Sequence, residues 1–228
     1  MVRLSVIITL VMAAIIAPAI AEPRPMSPVD FLETPRLSEP ALSPDGRYLA
    51  YLRSETVWRE NKIIEHLDLI EVATGAALPS PDFGDADPGE EPARVSKVWW
   101  HPDSRRFVYL KRAAASDKPQ AFLFDLNDQE SRQLTAHGES VLDVIWRPDG
   151  SGFYFITAEQ QPTGDTQLLS SGWIIPPFES NADREVWSFD LDTGETAPVI
   201  SGRFSVRQVS LSRDGQRLIF SRVPDHKL

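Results

Sequence analysis

The side chains of this sequence that could do chemistry are few and scattered. Four histidines stand at His66, His101, His137 and His226, and no His-x-x-x-His or His-Glu-x-x-His spacing sets two of them on one face for a metal ion. His101 holds the first position of a Pro-Asp turn, where a polar side chain usually fixes backbone. The acids between Asp82 and Glu91 are hard oxygen ligands of the kind Ca²⁺ takes. They lack the Asp-x-Asp-x-Asp-Gly order of a calcium loop and read as solvated charge, the pair Glu90-Glu91 included. There is no cysteine, which removes thiolate chemistry, disulfides and lipid attachment at a cysteine together. Nor does a Gly-x-Ser-x-Gly elbow occur, the strained turn that would lift a serine oxygen beside its oxyanion donors. No catalytic, cofactor-binding or metal-binding residue is therefore assigned, and no cofactor is expected.

Aromatic residues are the other candidates. Trp173-Ile-Ile-Pro-Pro-Phe178 lies in a long connector rich in Gly, Pro, Ser and Asn. Connectors of that kind bind neighbouring domains or peptides, or fold back on their own scaffold. Trp99, Trp100, Trp146 and Trp187 fall within strand-like runs and are expected in the core.

The elements that must position these residues follow from a repeat. Four segments share one design, beginning at Ala41, Trp99, Ile145 and Ser210 and ending at Tyr51, Tyr109, Phe155 and Phe220. Each reads strand, tight turn, strand. Pro44, Pro102 and Pro148 pre-set φ in the turn, Asp45, Asp103, Asp149 and Asp214 follow, and Gly46, Gly150 and Gly215 supply the positive φ that closes it. The runs after each turn, such as Phe107 to Leu110, are apolar without alternation, as in strands covered on both faces. A third strand recurs at Leu67, Ala121 and Val186, each run ending in a polar turn. Short fourth strands follow, at Arg132 to Thr135 and Ala197 to Ile200.

Four strands per unit make a propeller blade. The interval from Asp103 to Asp149 matches a blade of roughly 40–50 residues, and the flanking intervals carry insertions at Pro79–Pro92 and Glu159–Arg184. The fold class is thus all-β, a partial β-propeller of about three four-stranded blades plus the first hairpin of a fourth. That count is too small to close a ring of about 4–8 blades. The missing strands come from elsewhere, or the product is incomplete.

The 228 residues are 42% hydrophobic and 25% charged, an ordinary globular composition. The first 21 differ: Arg3, an apolar run from Val6 to Ala17, then Pro18-Ala-Ile-Ala21. This reads as a secretory signal cleaved after Ala21, since a span would need about 20 unbroken apolar residues. The expected product is periplasmic or secreted, with no stable membrane anchor after cleavage. The domain reading is 1–21 signal peptide, 22–40 N-terminal segment with a short helix capped at Ser27, and 41–228 incomplete propeller. A formal net charge of −10, without a basic cluster, argues against nucleic acid as a partner.

The stretch from Phe31 to Tyr51, with its Ser43-Pro-Asp-Gly46, and the turn Asp190-Leu-Asp-Thr-Gly194 resemble the propellers of prolyl-oligopeptidase-family serine peptidases. The dipeptidyl-peptidase and acylaminoacyl-peptidase branch is the most similar. TolB-like binding propellers share the repeat, while Trp-Asp dipeptides typical of WD40 repeats are absent. The resemblance implies an amino-terminal propeller that admits peptides to a C-terminal α/β-hydrolase domain bearing a Ser-Asp-His triad. That domain is not within this sequence, and none of the triad is carried over. Paired Glu residues that grip a peptide amino terminus in some branches are not transferred to Glu90-Glu91. The alternative is a non-catalytic periplasmic binding or scaffold propeller whose ring closes by association with itself or a partner.

Overall fold

The computed structural model describes residues 25–58, 62–81, 83, 94–112, 118–158, 184–202 and 204–224. The signal reading, the insertion around Trp173 and Phe178, Asp82, Glu90-Glu91 and His226 lie outside them.

Residues up to Leu32 and those from Glu33 onward form separate units. Helix α1 (Pro28–Glu33), which lies in the first unit but for its last residue, is capped by Ser27. The Asp30 N–H donates to Ser27 Oγ at 3.2 Å, and the Ser27 N–H returns a bond of 2.7 Å to Asp30 Oδ2. The two side chains thus satisfy backbone donors that a helix start leaves open.

The second unit is built from antiparallel sheets. Blade 1 comprises β1 (Arg36–Leu42), β2 (Tyr48–Val57), β3 (Lys62–Glu71) and β4 (Ala77–Leu78). Blade 2 comprises β5 (Arg94–Trp100), β6 (Arg106–Arg112), β7 (Gln120–Asp125) and β8 (Ser131–Gln133). Blade 3 comprises β9 (Ser140–Trp146), β10 (Gly152–Ala158), β11 (Arg184–Asp190) and β12 (Thr196–Ile200), and a hairpin follows from β13 (Phe204–Leu211) and β14 (Leu218–Pro224). Three four-stranded blades and one further hairpin is the architecture read from the repeat. One boundary moves: β1 begins at Arg36, inside the segment that the sequence reading placed before the propeller. Its pairing with β2 continues past an irregularity between Ser38 and Ala41. The other first strands carry the same feature, with register shifts between Ser96 and Val98, between Ile156 and Thr157 on the strand facing β9, and between Val206 and Gln208.

The turns follow the expected chemistry with one substitution. The Gly46 N–H bonds the Ser43 carbonyl at 2.9 Å, with equivalents at Ser104–His101, Gly150–Arg147 and Gly215–Ser212. Gly46, Gly150 and Gly215 take φ of 72–74°. In blade 2 the position is Ser104, at φ 62°. Its hydroxyl is put to use, accepting the Asp45 N–H of blade 1 at 3.0 Å.

Each turn aspartate accepts local donors, and its carboxyl is held below the usual value. For Asp45 the Ser43 hydroxyl (2.7 Å) is the chief cause, with the Arg47 N–H (3.0 Å) next. For Asp214 the Ser212 hydroxyl leads, and for Asp149 and Asp190 the N–H groups of Ser151 and Thr193. At Asp103 burial pushes upward, and the Arg105 N–H and the Arg106 guanidinium act against it to hold the carboxyl low. A depressed folded-state pKa contributes stability that is complete above the unfolded value, about 3.9, and is lost as pH falls through the folded values. Urea midpoints are therefore expected to hold from pH 7 to about pH 5 and to decline below about pH 4, gently because four of the five carboxyls are solvent-screened. An Asp149→Asn chain should show a shallower acid limb. An acid limb identical to the parent's would remove this turn from the explanation.

The core lies between blades rather than within one. Ala50, Leu52, Leu67 and Leu69 of blade 1 meet Phe107, Tyr109 and Phe124 of blade 2. Val108, Leu110 and Leu123 of blade 2 meet Phe153, Phe155 and Phe189 of blade 3, and Ile156 and Val186 meet Val206 of the hairpin. Phe107 to Leu110 are buried residue by residue because alternate side chains enter opposite joints. Ile219, which matches Val108 and Tyr154 in the repeat, is 71% exposed. The outer strands β4, β8 and β12 are short or exposed, and Pro198 in β12 blunts one edge against further pairing.

Candidate functional site

Of the residues singled out by type, His101, His137, Trp100 and Trp146 lie at the joints between blades. His101 is 4% exposed. Its Nε2 lies 3.1 Å from the Gly150 carbonyl of blade 3, and its Nδ1 accepts the Asp103 N–H at 3.1 Å. A carbonyl oxygen only accepts, so Nε2 carries the proton. With both nitrogens occupied and its ring edge-on to Trp146 at 4.6 Å, His101 latches two blades.

His137 does similar work, accepting the Glu139 N–H at Nδ1 (3.0 Å) and packing on Trp187 of blade 3 with ring centres 4.7 Å apart. Gln120 completes that joint: its amide donates to the carbonyls of His137 and Glu139, and its oxygen accepts from Thr135 and from the His137 N–H. His66 stands 3.8 Å from Glu55 on blade 1. Among the described residues no three His, Asp or Glu side chains converge as a metal site.

The tryptophans are more than filling. Trp100 Nε1 donates to the Ala41 carbonyl of blade 1 at 2.9 Å, and Trp146 Nε1 to the Trp99 carbonyl of blade 2 at 3.0 Å. Because Ala41 and Trp99 hold the same place in the repeat, this is one latch used twice. The next position is Leu211, which has no donor, so the joint to β13–β14 lacks it. A Trp146→Phe substitution should lower stability by about 2 kcal/mol through the unpaired carbonyl and lost ring area. Unfolding in urea checks it, and a change under about 0.5 kcal/mol would show the latch to be inert.

Sequence reading missed two polar arrangements. On the face of blade 1 turned away from blade 2, Arg53 bonds Asp68 at Nε (2.5 Å) and also pairs with Glu55. The strand partners Tyr51–Asp68 stand there where blades 2 and 3 place Tyr109–Phe122 and Phe155–Trp187. Aligning the repeats would have exposed this replacement of an aromatic by an acid. The second is Arg112, at the end of β6, whose Nε is buried without a hydrogen-bond partner among the described residues. Its only sequence signal is a cation closing an apolar run.

The blade face carrying the Asp turns is cross-braced within each blade. The N–H groups of Val72, Leu126 and Leu191 donate to Arg47, Arg105 and Ser151 carbonyls at 2.8–3.0 Å. Between blades 1 and 2 this face holds an open cavity of about 550 Å³, where Arg47, Tyr48, Arg105 and Asn127 line the walls. Its charges are mixed and exposed. Among the described residues the arrangement offers no activated nucleophile.

Comparison with known proteins agrees with this geometry. No family model matches the chain. A 114-residue stretch, 50% of the chain, is 25% identical to the uncharacterized peptidase YuxL of Bacillus subtilis (strain 168), of which it covers 16%. Among solved structures, a prolyl endopeptidase superposes with a TM-score of 0.59 at 18% identity, over 85% of this chain and 27% of its own. TolB from Acinetobacter baumannii superposes with a TM-score of 0.51 at 16% identity, over 85% of this chain and 39% of its own. The chain therefore spans well under half the length of each of these proteins. The fold is that of part of a propeller, shared with the prolyl endopeptidase and TolB, and the sequence likeness is to a protein named as a peptidase.

Proposed function

We propose that these blades are the propeller portion of an exported serine peptidase of the prolyl-oligopeptidase type, which limits access of peptides to an α/β-hydrolase domain supplied outside this sequence. The observation that carries this reading is the sequence match to a protein named as a peptidase, reaching through half of the chain. The stacked four-stranded blades support it as part of a propeller, the architecture that in this reading narrows access by size. Export rests on the apolar run from Val6 to Ala17 and the small residues Ala19 and Ala21. In this reading the triad acts on the peptide bond while the propeller contributes no reacting group.

The test is the size and reactivity of the protein in a periplasmic extract, probed with an antibody to the Phe31–Tyr51 region and a serine-directed fluorophosphonate. A labelled species of several hundred residues is the expected result. An unlabelled species no longer than the mature chain would overturn the peptidase reading. It would favour a binding propeller, for which the TolB likeness over 85% of the chain is the supporting observation.

A further inference from the structure

At the strand ends opposite the Asp turns, between blades 1 and 2, a cavity of about 190 Å³ is lined by Glu65 of β3, Val95 and Ser96 of β5, Leu110 and Arg112 of β6, and Pro119. Its distinguishing group is Arg112. Its Nε is shut off from solvent and has no hydrogen-bond partner among the described residues. A buried N–H without an acceptor costs about 1–3 kcal/mol, more on a charged group, so a native fold keeps such a donor where something outside it accepts. Glu65, the one carboxylate in the lining among the described residues, already accepts the Val95 N–H at 3.3 Å.

We infer that this cavity is a binding site for a carboxylate, with Arg112 as its anchor, and that its ligand is the carboxyl end of a short peptide. The planar fork of arginine matches the two oxygens of a carboxylate. Val95, Leu110 and Pro119 form apolar walls suited to one small residue. At roughly 30 Å³ per water, the space takes a carboxylate with a few further heavy atoms and no more. The choice of a peptide as the source rests on the peptidase reading, whereas the carboxylate rests on the cavity alone. The other source of the same group is the chain's own acidic stretch, Asp85, Asp87, Glu90 and Glu91, which precedes Arg94 in sequence.

The probes are N-acetylglycine and its uncharged amide, titrated into the full chain by calorimetry. The acid is expected to bind and the amide not. Arg112→Gln is expected to weaken the acid about tenfold or more, in line with loss of a charge-assisted pair. The acid–amide comparison in the parent chain needs no variant, so a poorly folding Arg112→Gln does not spoil the test. If the parent ignores the acid but a chain with Asp85 and Asp87 changed to Asn and Glu90 and Glu91 to Gln binds it, the site stands and its occupant is internal. Equal behaviour of acid and amide in both chains overturns the proposal, as does full binding by Arg112→Gln. None of these results bears on the fluorophosphonate experiment, so the two readings fail separately.

Discussion

Gly152→Ala is expected to destabilise the protein by about 3 kcal/mol or more, a large share of what a domain of this size holds in reserve. Gly152 opens β10 and pairs with Asp190 of β11. A Cβ at this position would sit 2.1 Å from the Phe189 carbonyl oxygen and 3.1 Å from its carbon. The obstacle is backbone of the neighbouring strand, which cannot rotate aside. To admit a methyl group, β10 and β11 must part at the end where Phe153 and Phe189 stack at 4.9 Å, and both rings belong to the joint between blades 2 and 3. Gly138, whose Cβ would meet nothing within 4 Å, is the control, and alanine there should change stability by less than about 0.5 kcal/mol. Urea unfolding followed by tryptophan fluorescence compares them. Equal midpoints for the two variants would refute the close approach.

Phe107→Ala should have an effect of similar size, about 3–5 kcal/mol. Phe107 is fully buried and lies at the centre of the first joint, with ring centres 5.2 Å from Trp100 and 5.3 Å from Phe124. Truncation leaves a cavity between two sheets. Each sheet is held in place by its own hydrogen bonds, so neither can collapse freely to fill it. The informative partner is Ile219→Ala on β14. With its side chain turned away from blade 3 and 71% exposed, the expected change is within about 0.5 kcal/mol. A loss at Ile219 approaching that at Phe107 would mean that another surface covers the hairpin in solution.

Local features of the sequence specified the repeating unit. Pro44, Pro102 and Pro148, the aspartates after them and the turn glycines mark each hairpin because turn geometry is decided by φ preferences within four residues. The unbroken run Phe107 to Leu110 announced a strand covered on both sides, since no half-exposed strand tolerates it. Both signals are short-range, which is why the count of three blades and a hairpin was legible. Even the departure at Ser104 obeys the same logic, a small polar residue standing in for glycine at positive φ.

What the tertiary structure alone decided is how blade meets blade. The sequence shows Trp100 and Trp146 as apolar bulk, and only the stacking puts their indole N–H groups against carbonyls of the preceding blade. It shows His101 as a turn residue, and only the joint brings it to Gly150. The register shifts in β1, β5, β9 and β13 leave no mark in the composition, because a bulge is fixed by the pairing of two strands rather than by either one. Arg112 and Glu65 are separated by most of a blade in sequence and share a cavity because β3 and β6 belong to adjacent sheets. Short-range chemistry thus determines the blade, while contacts between blades, set by packing and by the few hydrogen bonds that cross each joint, determine where a ligand can be held.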